Sequence, residues 1–110
     1  MNLSSKRVIP PVMSVAEDMI GVCEIHIHLP AIASLKGKRK IVKGLKDRIR
    51  SRFNVSVAEL DALDKWQRSV IGIACINKDR VRIDQVLNHV VGVVESTPDV
   101  VLTDYFIEFI

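Results

Sequence analysis

Residues 21–53 read GVCEIHIHLPAIASLKGKRKIVKGLKDRIRSRF, and the period of their apolar residues changes partway along. Up to Leu29 every second residue is apolar. Cys23, Ile25, Ile27 and Leu29 fall on one face and Glu24, His26 and His28 on the other, the pattern of a half-buried strand. Pro30 and Ser34 supply a turn and a helix cap. From Leu35 onward, Ile41, Val42, Leu45, Ile49 and Phe53 recur at helical spacing and share one side of a helix running from Ser34 to Arg52. Lys36, Arg39, Lys40, Lys43, Lys46 and Arg50 project onto the other side. A strand feeding an amphipathic helix is the first half of a crossover that needs a second strand to close.

The rest of the chain supplies that strand and repeats the unit. Val55 to Leu60 reads as a second strand, the polar stretch Asp61 to Lys65 as a loop, and the β-branched run Val70 to Ile76 as a third strand. Asn77-Lys78-Asp79 makes a turn and a cap. Val81, Val86, Leu87, Val90, Val91 and Val94 then give a second amphipathic helix, ended by Ser96-Thr97-Pro98 because a residue preceding proline avoids helical angles. Val100 to Ile110 alternates, with Tyr105, Ile107 and Phe109 assigned to the core face. The order βαββαβ with right-handed crossovers predicts a ferredoxin-like α+β sandwich: a four-stranded antiparallel sheet with two helices on one face. At 110 residues, 48% apolar and 26% charged, the chain suits a single hydrophobic core, placed at residues 19–110. Residues 1–18, with Ser4, Ser5, Pro10, Pro11 and Ser14 and no sustained period, are expected to be a flexible N-terminal extension or the product of an upstream mis-start.

Charge is distributed unevenly. Between Lys36 and Arg52 nine Lys and Arg residues face the single carboxylate of Asp47, giving nine less one, or +8; against a whole-chain charge of +3 the remainder carries −5. Like charges at i,i+3 and i,i+4 repel, so such a face calls for a compensating anion, and phosphates along a nucleic acid are one. The alternative is a solvated face screened by salt or paired with acidic groups elsewhere. The nucleic-acid contacts expected on the first reading are Lys36, Lys38, Arg39, Lys40, Lys43, Lys46 and Arg50. Stacking of single-stranded bases on the sheet would need aromatics on the central strands, and there are none. Glu24, His26, His28, Asp104, Phe106 and Glu108 make the open sheet face acidic instead, so RNA should meet the helix side. The leading expectation is a non-enzymatic RNA-binding or ribosome-associated factor.

Other chemistry is thinly represented. Glu24, His26 and His28 share a strand face and could form an open metal site, but no fourth ligand can be placed. Glu59, Asp61 and Asp64 gather carboxylates near the second hairpin, where a small metal-dependent hydrolase would place acid/base groups; they equally suit pairing with Lys65 and Arg68. There is no phosphate-cradling glycine loop, and no catalytic residue, metal or cofactor is assigned. Cys23 and Cys75, each among apolar neighbours, read as buried thiols in a reducing compartment, and without an apolar membrane span or leader pattern the expected location is cytoplasmic. Trp66 either caps the edge of the core or, with Arg68, anchors a partner. Phe106 on the open sheet face points to a different class of role, a protein-interaction module that forms a homodimer through its sheet.

Several separated motifs also agree with one family. His28-Leu29-Pro30, Ser34-Leu35-Lys36-Gly37-Lys38-Arg39, Arg52-Phe53-Asn54-Val55-Ser56-Val57-Ala58-Glu59 and Trp66-Gln67-Arg68 resemble, in order and spacing, the YlxP-like family of small bacterial proteins. The likeness spans roughly Met19 to Ile110. It implies a ferredoxin-like fold and a translation context, since members are often encoded beside translation-initiation and ribosome-maturation factors. It supplies no established catalytic residues.

Overall fold

Alternation in the first strand carries directly into the structure, a computed structural model that describes residues 18–110; of the extension expected at residues 1–18, all but Asp18 lies outside the described residues. The elements run β1 (Ile20–His28), α1 (Leu35–Arg52), β2 (Ser56–Asp61), β3 (Arg68–Ile76), α2 (Arg80–Glu95) and β4 (Val101–Phe109). They build one sheet of order β2-β3-β1-β4 in which every neighbouring pair is antiparallel. This is the ferredoxin-like α+β arrangement. Cys23, Ile25 and Ile27 of β1 and Ile71 and Ile73 of β3 face Val42, Leu45 and Ile49 of α1 and Ile83, Leu87, Val90 and Val94 of α2 in a single buried cluster. Both helices therefore cover the same side of the sheet.

The caps fall where the sequence places them. Ser34 Oγ accepts the Gly37 N–H at 3.0 Å and Asp79 Oδ1 accepts the Val81 N–H at 3.0 Å, satisfying donors that the first turn of a helix leaves unpaired. Phe53 ends α1 in an extended conformation while its N–H still reaches Ile49 O. Gly21 is required by packing, because a Cβ there would strike Ile83 and press on Leu87; its absence lets α2 lie close on β1. Cys23 and Cys75 are buried free thiols.

Two expectations about the core need correction. Tyr105 faces the helix side in register with Ile25, yet β4 is an edge strand beyond full helix cover, so the ring stays exposed. A bulge between His26 and Ile27, where Thr103 Oγ1 donates to His26 O at 3.0 Å, adds to the irregularity of that edge. Val81, counted on the apolar stripe of α2, is also exposed in its first turn. Phe109 is half covered, with the Arg80 guanidinium 4.3 Å from its ring centre.

The third correction is the largest. Lys38, expected to contact phosphate, is 0% exposed. It sits four, seven and eleven residues before Val42, Leu45 and Ile49, on the inward side of α1, the face that i+4 and i+7 spacing selects. Its Nζ lies 2.5 Å from Glu59 Oε2 and donates to Ala62 O at 2.6 Å and Leu63 O at 3.2 Å. Ser69 Oγ donates to the same Glu59 oxygen. The charge is thus paired and its donors are used, the condition under which a buried ammonium is tolerated. Ala62 adopts a left-handed φ of 60°, a conformation that disfavours a side chain bearing a Cβ; Lys38 at its carbonyl and Asp61 Oδ1 at its N–H, 2.7 Å away, hold it there. Lys38 ties α1 to the β2–β3 loop and leaves the set of phosphate-binding candidates.

Two predictions follow from this packing. Lys38→Met strands the Glu59 carboxylate and is expected to lower unfolding free energy in urea by about 3 kcal/mol, while adding Glu59→Leu recovers most of that loss; a double variant no more stable than the single one refutes the pairing. Burial first, and then the Glu24 charge, pushes the Cys23 thiol up to about 11 from 9.0. The folded state therefore favours the neutral thiol, so this contribution to stability is complete below about pH 9 and fades as pH rises toward 11. Cys23 should be inert to a thiol reagent at pH 8 in the native protein and should react on unfolding.

Candidate nucleic-acid interface

With 18 residues rising about 1.5 Å each, α1 presents a surface about 27 Å long. Lys36, Arg39, Lys40, Lys43 and Arg50 are exposed along it and Lys46 is half-buried at its margin. Asp47 is the one carboxylate on the helix. It lies 2.8 Å from Lys43 Nζ and 3.8 Å from Arg50 Nη1. The hydrogen bond from Lys43, then the attraction of Lys43, Arg50 and Lys46, holds its carboxyl below the usual range, a direct sign of the positive field there. Among the described residues Lys36, Arg39, Lys40 and Lys46 meet no carboxylate within ion-pair distance. Lys36 and Arg39 near the helix start also oppose the macrodipole, which favours anions at that end, and no acidic residue occupies the first turn.

Other cations on the helix have protein partners. Arg50 Nη2 donates to Val57 O at 2.7 Å, bracing the helix against β2, and Arg48 Nη1 donates to Thr97 Oγ1 at 2.9 Å. Lys40 and Arg48 border a groove of about 490 Å³ whose lining includes Gly37, Gly44, Pro98 and the carboxylate of Asp99. Nothing lies within 4 Å of where a Gly44 Cβ would stand, so the helix surface is bare beside these cations.

The far side of the sheet differs in character. Glu24, His28, Asp104, Phe106 and Glu108 are exposed there and His26 is half-buried. His26 Nε2 is 2.7 Å from Glu24 Oε2, and its ring meets Phe106 edge-on at 5.9 Å. Phe106 is 55% exposed, as expected. Sequence reading missed the apolar centre of this face, a shallow cavity of about 340 Å³ lined by Val22, Ala58, Leu60, Gly72 and Ala74 among others. Its signal, alanines and a glycine alternating with core residues, is weak because small side chains suit either face. The β2–β3 carboxylates do not converge: Glu59 is held by Lys38 and Ser69, while Asp61 binds the Ala62 N–H. Neither Lys65 nor Arg68 has a carboxylate within ion-pair distance among the described residues, so the expected pairing there does not occur. Among the described residues no three His, Cys, Asp or Glu side chains are grouped to hold a metal ion, and no helix is long and apolar enough to cross a membrane.

Trp66 does not cap the core. It is 52% exposed on the β2–β3 loop, beside Lys65, Gln67, Arg68 and His28, which with it line a cavity of about 390 Å³. His28 and Arg68 are cross-strand partners at the end of β1 and β3. The loop is fastened on both sides of the indole, by Lys38 at Ala62 and Leu63 and by Gln67 Nε2, which donates to Pro30 O at 3.3 Å and Ile32 O at 3.2 Å.

Residues 20–107 match a family described as "Protein of unknown function (DUF503)", a span that takes in β1, both helices and nearly all of β4. Over 82 residues the chain is 35% identical to the "Uncharacterized protein YlxP" of Bacillus subtilis (strain 168), an alignment covering 74% of this chain and 89% of that protein. With the motifs, the element order and this match in agreement, the chain belongs to the DUF503, or YlxP-like, family of proteins of unknown function.

Proposed function

We propose that this domain is a non-enzymatic RNA-binding protein of the cytoplasm that grips phosphates with the exposed side of α1. One observation carries the reading: Lys36, Arg39, Lys40, Lys43 and Arg50 stand exposed along one helix with Asp47 as the single carboxylate among them. Each neutralised phosphate releases counterions, so several such cations give affinity without a pocket and without sequence specificity. The translation context implied by the family resemblance favours ribosomal RNA as the polyanion. Lys38 is excluded from the contact set by its burial, and Lys46 contributes from the margin.

Binding of a ribosomal RNA fragment to the parent and to the Lys36→Glu/Lys40→Glu/Lys43→Glu variant, measured at two salt concentrations, tests this. The variant should bind at least about tenfold more weakly, with the log–log salt slope shallower by roughly 2 to 3. Equal binding by the triple variant rejects the proposal. A second reading rests on the open sheet face, where Leu60, Ile76 and Phe106 are exposed: a homodimer formed through the sheet. Sedimentation at micromolar concentration should then show a dimer that Phe106→Glu dissociates; a monomer at all concentrations discards it.

A further inference from the structure

The surface around Trp66 combines unpaired cations, which the helix face also has, with two features the helix face lacks: an exposed aromatic and a loop already fixed in place. Its indole is the only tryptophan of the chain and is 52% exposed. An indole of that exposure keeps about half of its surface in water, where a ligand can reach it. The loop beneath it is nonetheless held by the buried Lys38 ammonium, which accepts a costly desolvation to bind Ala62 O and Leu63 O, and by Gln67 bonded to Pro30 O and Ile32 O. Leu29 N–H adds a third tie by donating to Gln67 O at 2.8 Å. A ligand meeting Trp66 therefore does not bear the entropy cost of ordering the loop.

The lining selects the ligand's chemistry. Lys65 and Arg68 flank the indole without carboxylate partners among the described residues, and His28 and Gln67 complete the wall. The side chains around the indole are all cationic or polar. An aromatic face next to arginine and lysine is the combination that stacks a base and holds its phosphate. The ties from Gln67 to the β1–α1 loop, and from Lys38 in the first turns of α1, put this surface at the end of the domain where the helix begins.

We infer that Trp66, with Lys65 and Arg68, is a binding site for one unpaired nucleotide, its base stacked on the indole and its phosphate on the two cations. This inference rests on the phosphate-gripping reading of α1 for the rest of the RNA, and it sharpens that reading: the preferred RNA is a helical stem with an unpaired nucleotide at its end or in its loop. The helix face, bare of aromatics, follows the backbone, and the Trp66 surface takes the base that the stem leaves free.

Because Trp66 is the only tryptophan, its fluorescence reports the site in the native protein without a label. Adenosine 5′-monophosphate at millimolar concentration should quench it saturably, with Arg68→Gln weakening the effect. A blunt RNA duplex and the same duplex carrying one unpaired 3′ adenosine should differ by about tenfold in affinity, and Trp66→Ala should abolish that difference. Trp66→Phe, which keeps a ring, should retain part of the preference. Unchanged fluorescence with the extended duplex at saturation, or a tenfold preference that survives in Trp66→Ala, overturns the inference. Loss of the α1 reading shows separately, as a blunt duplex bound equally well by parent and by the Lys36→Glu/Lys40→Glu/Lys43→Glu variant.

Discussion

One buried ion pair joins the two halves of this fold. Lys38 reaches from the inward side of α1 to Glu59 on β2, and the two carbonyls it also binds belong to the loop leading into β3. A lone ammonium in that position would be expelled or neutralised; paired and fully hydrogen-bonded, it fixes the depth at which the helix lies and the path of the loop. Ser69, donating to the same carboxylate, brings β3 into the arrangement. The positions of Trp66 above the loop and of the exposed cations along α1 both depend on this contact.

Charge separates by face. The outward side of α1 carries its lysines and arginines around Asp47, the one carboxylate of the helix, whose pKa they lower, while Glu24, Asp104 and Glu108 stand on the opposite surface of the sheet. An acidic face turns polyanions away and a basic one draws them in, so the domain has a preferred side for a nucleic acid even before any specific contact forms. The apolar centre of the open sheet face, around Leu60 and Gly72, is a different kind of surface, suited to burial against another protein face rather than to phosphate.

Buried thiols and a packing-determined glycine complete the physical picture. Cys23 and Cys75 pack as small apolar residues, and burial raises both thiols above their ordinary range, which favours the neutral thiol. Gly21 lets α2 approach β1 closely enough for Ile83 and Leu87 to enter the core. Both are consequences of a core made almost entirely of aliphatic residues, which interdigitate tightly and leave no room for an extra methyl.

Sequence alone determined the element order, the caps at Ser34 and Asp79, the inward face of β1 and the concentration of positive charge on α1, because each follows from local periodicity or from a side chain bonding its own backbone. Tertiary structure decided which of those charges are available. Lys38 belongs to a run of six residues with four cations, Lys36 to Ile41; its spacing to Val42 and Leu45 places it on the inward face, but only a carboxylate 21 positions later on a neighbouring strand gives an inward lysine a reason to exist. The exposure of Trp66 was equally undecided, since a tryptophan at a strand entry suits a core edge as well as a surface, and it is the anchoring of its loop by Lys38 and Gln67 that turns it outward. Tyr105 stayed exposed because cover over an edge strand depends on where the helices end up, a long-range property that alternation cannot encode.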